Sequence, residues 1–584
     1  MRNPCGLQPI RPKAPCGPLS SRLTTPDTEV FESKRGVSPT SFDAQCPKTT
    51  RASRIFKLGE AACHPPDPQN DPSITPPITE RLRQSRLTSI ISAKSTIRAV
   101  PQPRALNILK QHAMMMIANE EKSETTIDFA SGAPSILPNE MVREATKGLF
   151  TKMAREGVVT RGTAWRHPLQ YGTPSGDVGF LKALAAWLSK MYGRDKIPVP
   201  PRDLVATAGC SHGLDLALST IVLTGTSKSQ PRLVAFVEDP TYFKAIKTIQ
   251  DRGFETQLVE TDEEGLIPSS LEKSLRREQV NSSRCGVKTA IVVYCVPTFN
   301  NPRGGVLSKS RRIEIIEICD RYDVAAIIED DPYYLIASSE RKRPLPPRMT
   351  EIRRKQRLSV RSDSASRPRT AVVSLGSFSK LIAPGLRCGW IETTSTSFVK
   401  SLGTNSVLSS GGSISHFTSR IVEVLLSRFD GLLLTSHVER IRREYTRRGT
   451  LLYDAIRRDL GETLGNVSSL SAVCSVRRPA GGFFLWLTLA KHIDTESLLQ
   501  NCMATSKGPR VKFRCGPMFS VSRSFRNCVR LSFSKMTDEA ILMGSRVLCR
   551  EIASLFRKGI STVVRESDRQ IPAVERPSRS TSRL

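Results

Sequence analysis

Ser377-Phe378-Ser379-Lys380-Leu381-Ile382-Ala383-Pro384-Gly385-Leu386-Arg387-Cys388-Gly389-Trp390 is the stretch whose reading decides the fold of this chain. The apolar run Ala371 to Leu375 precedes it and reads as a strand, which leaves Lys380 in a Ser/Gly-rich turn just beyond. Arg387 follows seven residues later. A lysine held in such a turn can form a Schiff base with an aldehyde cofactor, while the serines and the arginine grip a phosphate.

Working outward from Lys380, strand-like runs alternate with helical stretches from Thr126 onward. That alternation predicts an α/β domain with a largely parallel central sheet flanked by helices. Further strands are expected at Leu233–Val237, Ala290–Cys295, Val324–Glu329 and Leu386–Ile391. Val178 to Tyr192 has helical periodicity, and Gly213–Leu223 opens a helix directly after a Gly/Ser turn. Beyond Arg420 the chain reads as helical, then gives strand-like Gly482–Leu487 and Cys528–Phe533.

Partners for the lysine stand in these segments. Asp330 follows the Val324–Glu329 run, with Tyr333 three residues on. A carboxylate there favours the protonated form of a ring nitrogen by opposite charge; Asp331 is its rival. Thr207-Ala208-Gly209-Cys210-Ser211-His212-Gly213-Leu214 joins a strand to a helix start, where backbone N–H groups make a natural phosphate site. His212 in that turn reads as a packing or surface residue rather than a catalyst. Arg530 lies within the apolar run Val529-Arg530-Leu531-Ser532-Phe533, and its planar guanidinium suits a carboxylate.

In this order the segments resemble the class I/II aminotransferases, the fold type I pyridoxal phosphate (PLP) family, over residues 126–550. Phe378 to Arg387 and Tyr294-Cys295-Val296-Pro297-Thr298 resemble the 2-aminoadipate/aromatic branch; Ser410-Gly411-Gly412 resembles its fungal-type members. The resemblance implies that Lys380 holds PLP, with Asp330 at the ring nitrogen. Asn301, in an Asn-Pro-Arg-Gly loop 29 residues before Asp330, and Tyr333 would donate to the phenolate oxygen. It further implies that Tyr242 stacks on the ring, and that Cys210, Ser211, Ser377 and Arg387 cup the phosphate. Tyr171 would reach the phosphate of a neighbouring subunit, so a homodimer with shared active sites is expected, and Arg530 would bind the substrate carboxylate. The implied activity is ping-pong transfer of an amino group between an L-amino acid of the 2-aminoadipate, aromatic or branched-chain class and a 2-oxo acid such as 2-oxoglutarate. The same constellation also suits a lyase or a racemase.

The expected organisation is a basic, Pro/Ser-rich extension over 1–104, an aminotransferase domain over 105–550 and a basic, disordered tail over 551–584. Within the domain, a large part over about 150–400 and a small part from about 105–149 and 401–550 are expected. Residues 339–370 carry about eleven basic side chains and read as a surface insertion without secondary structure.

The net charge of +32 is concentrated outside the expected enzyme: about +19 falls in 1–104, 339–370 and 551–584. A regulator carrying a DNA-binding domain is disfavoured, because 1–104 shows no paired helices with a recognition pattern. Nucleic acid is thus not an expected partner, and no apolar run is long enough to span a membrane. The fourteen cysteines show no CxxC pair and no Cys/His cluster, so reduced thiols and no metal are expected. The first 26 residues lack acids and contain Arg2, Arg11, Lys13 and Arg22, hinting at mitochondrial import. Pro4, Pro9, Pro12, Pro15 and Pro18 oppose the helix an import signal needs, so the cytoplasm is expected, with the mitochondrion as the alternative.

Overall fold

β-branched and aromatic runs become strands, and the computed structural model describes them within residues 126–156, 167–193, 197–224, 231–359, 370–465, 469–505 and 508–569. The expectations for the 1–104 extension lie outside the described residues. In chain order the strands are β1 (Thr126–Asp128), β2 (Leu204–Thr207), β3 (Arg232–Asp239), β4 (Glu255–Glu260), β5 (Thr289–Cys295), β6 (Ala326–Asp330) and β7 (Ala371–Ser377). They continue with β8 (Gly389–Thr393), β9 (Cys474–Val476), β10 (Phe484–Leu489), β11 (Arg510–Lys512), β12 (Arg514–Cys515) and β13 (Cys528–Ser532).

A seven-stranded sheet, in the order β2-β8-β7-β6-β5-β3-β4, carries the main core. β3 to β7 pair in parallel, and only β8 runs against its neighbours. Parallel strands need crossover connections, and their helices cover both faces. β6, β7 and β8 are accordingly buried from end to end. The run Leu386–Ile391 is not one strand as expected. A short 3-10 turn over Pro384–Leu386 intervenes, Arg387 takes a left-handed φ of +45° that no strand residue has, and β8 begins only at Gly389.

A second sheet, β12-β13-β10-β9, is antiparallel and places Arg530 at its centre. The long helices Leu432–Leu464 and Asp538–Arg569 accompany it. β1 pairs in parallel with β11.

Two expectations are corrected. The 339–370 segment is not without structure: Met349–Ser359 is a helix whose Met349, Arg353 and Arg354 are buried. Arginines in and just before this helix answer acids on β8 and on the helix Lys309–Arg321. Arg348 and Arg354 both bond to the fully buried Glu392 on β8, and Arg353 forks onto Asp320. Charge density read from sequence suggested solvation, but a buried carboxylate demands a paired cation. Nor does a disordered tail begin at 551, because the last helix runs on to Arg569 and buries Ile552 and Ala553 completely. No helix among the described residues is long and apolar enough to cross a membrane.

Candidate active site

Strand register assembles the site. Thr207 at the end of β2, Gly389 at the start of the reversed β8, and Ser377 at the end of β7 stand side by side. Three loops therefore open at the edge of the sheet where the parallel strands end, the usual place for ligands in open α/β folds. Asp330, the last residue of β6, and the Val296–Asn301 loop after β5 reach the same edge. A cavity of about 500 Å³ lies there.

Ten of the eleven residues singled out from the sequence line this cavity: Lys380, Asp330, Tyr333, Asn301, Tyr242, Cys210, Ser211, Ser377, Arg387 and Arg530. Tyr171 does not. It is 76% exposed and lies against Gly411, away from the cavity of its own chain. Asp331 also stays outside, accepting from Thr298 Oγ1 at 3.3 Å. His212 lies in the first turn of the Cys210–Thr224 helix, where its Nδ1 accepts from the Ala208 N–H at 3.1 Å.

Lys380 donates from Nζ to the Gly132 carbonyl at 2.7 Å. Burial, reinforced by Arg530 and Arg387, brings its pKa down from 10.5 to about 8, against the opposing pull of Cys210 and Asp330. Asp330 accepts from Tyr294 Oη at 2.7 Å on one oxygen. Its other oxygen, Oδ1, is buried without a hydrogen-bond partner. The Cys210 thiol lies close enough to favour the carboxylate slightly, yet makes no bond of normal geometry to it. Burial raises the Asp330 pKa, and no cation among the described residues forms an ion pair with it. A buried carboxylate of this kind awaits a cationic partner.

At the other end, a phosphate-sized cradle forms. Gly209 has a φ of +96°, and a Cβ placed on it would come 3.3 Å from Arg387 Nη2, 3.4 Å from Ser377 Oγ and 3.7 Å from Ser379 Oγ. The Cys210–Thr224 helix starts immediately after, aiming its free N–H groups at the cradle. Tyr333 is a buried phenol and Tyr242 a half-buried one; burial pushes both pKa values up, Tyr242 to about 12, so both remain O–H donors near neutrality. An amine, an orphaned acid and an anion cradle thus share one cavity. They fit the aldehyde, the ring nitrogen and the phosphate of PLP.

Arg530 is nearly fully buried, donates to Asn301 Oδ1 at 2.8 Å and to the Ala130 carbonyl at 2.7 Å, and forms no ion pair among the described residues. Its guanidinium sits 4.1 Å over the Phe484 ring. Burial, with help from Arg514, lowers its pKa to about 10.

A family model described as aminotransferase class I and II matches residues 124–547. The chain belongs to that family. It is a PLP-dependent transaminase of fold type I. An aromatic-amino-acid aminotransferase of Thermococcus litoralis is 29% identical over 75% of this chain and 90% of its own length. A 2-aminoadipate transaminase of Thermus thermophilus is 25% identical over 74% and 91%. A Pyrococcus horikoshii kynurenine aminotransferase, solved with PMP, superposes with a TM-score of 0.58 at 25% identity, covering 82% of this transaminase and 98% of that chain.

Sequence reasoning missed Gly132, Phe484 and Arg514, all of which line the cavity. Gly132 sits in an ordinary Ser-Gly-Ala-Pro turn. Its need for glycine is tertiary: a Cβ there would lie 2.5 Å from the Phe484 ring. Arg514 had no signal in a chain so rich in arginine.

Proposed function

We propose that this transaminase moves an amino group from an L-amino acid of the 2-aminoadipate, aromatic or branched-chain class to a 2-oxo acid such as 2-oxoglutarate, using the residues gathered in the cavity. The single observation that carries the reading is the pairing of a neutral-prone Lys380 with the unpartnered Oδ1 of Asp330 in one enclosure. PLP, when bound, supplies an aldehyde that takes up the amino nitrogen and a ring that accepts the electron pair released at the substrate Cα. The cradle of Gly209, Cys210, Ser211, Ser377 and Arg387 would hold the phosphate. Asp330 would face the ring nitrogen and keep its proton in place, while Asn301 and Tyr333 would donate to the phenolate oxygen and Tyr242 would pack on the ring. Lys380, as a free amine, would carry a proton between the substrate Cα and the aldehyde carbon, acting as base and then acid. Arg530, already fixed by Asn301 and Ala130, orients the substrate through its α-carboxylate.

Tyr171, exposed at the surface, would complete the site of a second subunit in a homodimer. The division into a large part over about 150–400 and a small part from about 105–149 and 401–550 accompanies this reading, with residence in the cytoplasm or, alternatively, the mitochondrion.

The test is an absorption spectrum of the PLP-loaded protein, wild type beside Lys380→Ala and Asp330→Asn, with a panel of amino acids. The expected result is a lysine-dependent band that changes with an amino donor and returns with 2-oxoglutarate, at least 100-fold slower in Asp330→Asn. Cofactor uptake without the reversible change would assign lyase or racemase chemistry instead.

A further inference from the structure

Arg514 has no role in the reading above, yet it lines the same cavity. β12 pairs with β13 so that Arg514 lies directly opposite Arg530. Directly opposed residues of antiparallel strands project from one face of the sheet, so both side chains issue on the cavity side. Like charges in that position oppose one another, and Arg514 accordingly weakens the hold of Arg530 on its proton.

Elsewhere among the described residues the fully buried arginines are answered with acids. Arg312 has Glu329, Arg348 has Glu392, Arg353 has Asp320 and Arg420 has Asp177. Arg514 and Arg530 form no ion pair among the described residues, and the Nε of each is buried without a partner. What they have instead is aromatic. Arg514 lies 5.8 Å over the Phe243 ring, Phe243 packs edge-on against Phe519 at 5.6 Å, and Arg530 lies 5.1 Å over Phe519. Two guanidinium groups thus lie over two neighbouring rings and line a cavity whose lining, among the described residues, includes no carboxylate but Asp330.

We propose that Arg514 is a specificity-determining residue that binds the side-chain carboxylate of a dicarboxylic substrate while Arg530 binds the α-carboxylate. The inference rests on the transaminase reading of the site and narrows its substrate class. A dicarboxylic amino acid and 2-oxoglutarate carry the same second carboxylate, so one residue serves both half-reactions. Burying a ligand carboxylate against a guanidinium gives a charge-assisted bond, and a site built to make that bond rejects the analogue lacking the group.

The test compares PLP-loaded wild type, Arg514→Gln and Arg514→Lys with matched pairs. L-2-aminoadipate and L-norleucine serve as donors of equal carbon count. Glutarate and pentanoate serve as non-reacting ligands, with binding followed by calorimetry. The expected result is that the aminoadipate-to-norleucine ratio of kcat/KM falls about 10- to 100-fold in Arg514→Gln, with partial recovery in Arg514→Lys. The preference for glutarate over pentanoate falls with it. An unmoved ratio, or equal loss on both donors with binding preference intact, overturns the proposal and leaves Arg514 as a prop for Phe243. A wild type without preference for the second carboxylate overturns it too. A wild type that prefers glutarate through Arg514 but transfers no amino group refutes the transaminase reading alone.

Discussion

Lys380 is the residue whose behaviour the structure constrains most quantitatively. Burial, with Arg530 and Arg387, sets its pKa at about 8 rather than 10.5. At pH 7.5 about a quarter of the amine is then neutral, against about one part in a thousand for an ordinary lysine. The gain in nucleophile is about two hundredfold, so cofactor capture near neutrality depends on the environment of this one side chain. The perturbation is pH, applied to protein stripped of cofactor, and the assay is the rate at which added PLP gives its lysine-dependent absorption. That rate is expected to climb about tenfold per pH unit up to 7.5 and to level off above about 8.5. In Arg530→Gln the plateau moves to higher pH, because a neighbouring cation that disfavoured the ammonium is gone. Lys380→Ala shows no capture at any pH. A rate that keeps rising tenfold per unit from pH 8.5 to 10 would refute the reasoning, since it would describe a lysine titrating as if in water.

Gly209→Ala puts a methyl into the anion cradle, 3.3 Å from Arg387 Nη2, on a backbone with φ +96° that side chains rarely adopt. PLP affinity, followed by fluorescence titration, is expected to fall at least tenfold, about 1.4 kcal/mol, with the fold retained by circular dichroism. Arg348→Ala leaves the buried Glu392 with Arg354 alone, and unfolding in urea is expected to show a loss of about 3 kcal/mol at pH 7. The sign with pH follows from Glu392. Burial alone would raise its pKa, but Arg348 and Arg354 outweigh burial and hold it at about 2, below the ordinary 4.5. The stabilisation is therefore complete above pH 4.5 and disappears as the pH falls through 2, so the gap between wild type and variant should narrow in acid.

Much of the site was legible because its chemistry is local. Lys380 with Ser377 and Arg387, Asp330 with Tyr333, and Asn301 with its Pro-Gly turn are each carried by a short segment. Each loop follows an apolar run whose strand identity the pattern betrays. The expected sheet strands fell in place to within a few residues, β8 excepted, because fully buried parallel strands need continuous apolar runs. The 339–370 and 551–584 segments were misread for one reason. Composition counts charges and apolar residues but cannot see that Arg348 and Arg354 meet Glu392, or that Ile552 meets a core built elsewhere in the chain.

The sequence alone determined the family: a lysine, an acid, a Gly/Ser turn at a helix start and an arginine within an apolar strand, each in a segment that its own neighbours specify. The tertiary structure decided which of Asp330 and Asp331 faces the cavity, that Gly132 must lack a side chain, and that Arg514 stands opposite Arg530. Those are contacts between segments far apart in the chain, fixed by strand register and close packing. A periodicity of two or of 3.6 residues says which way a side chain points from its own element, but not what it meets there.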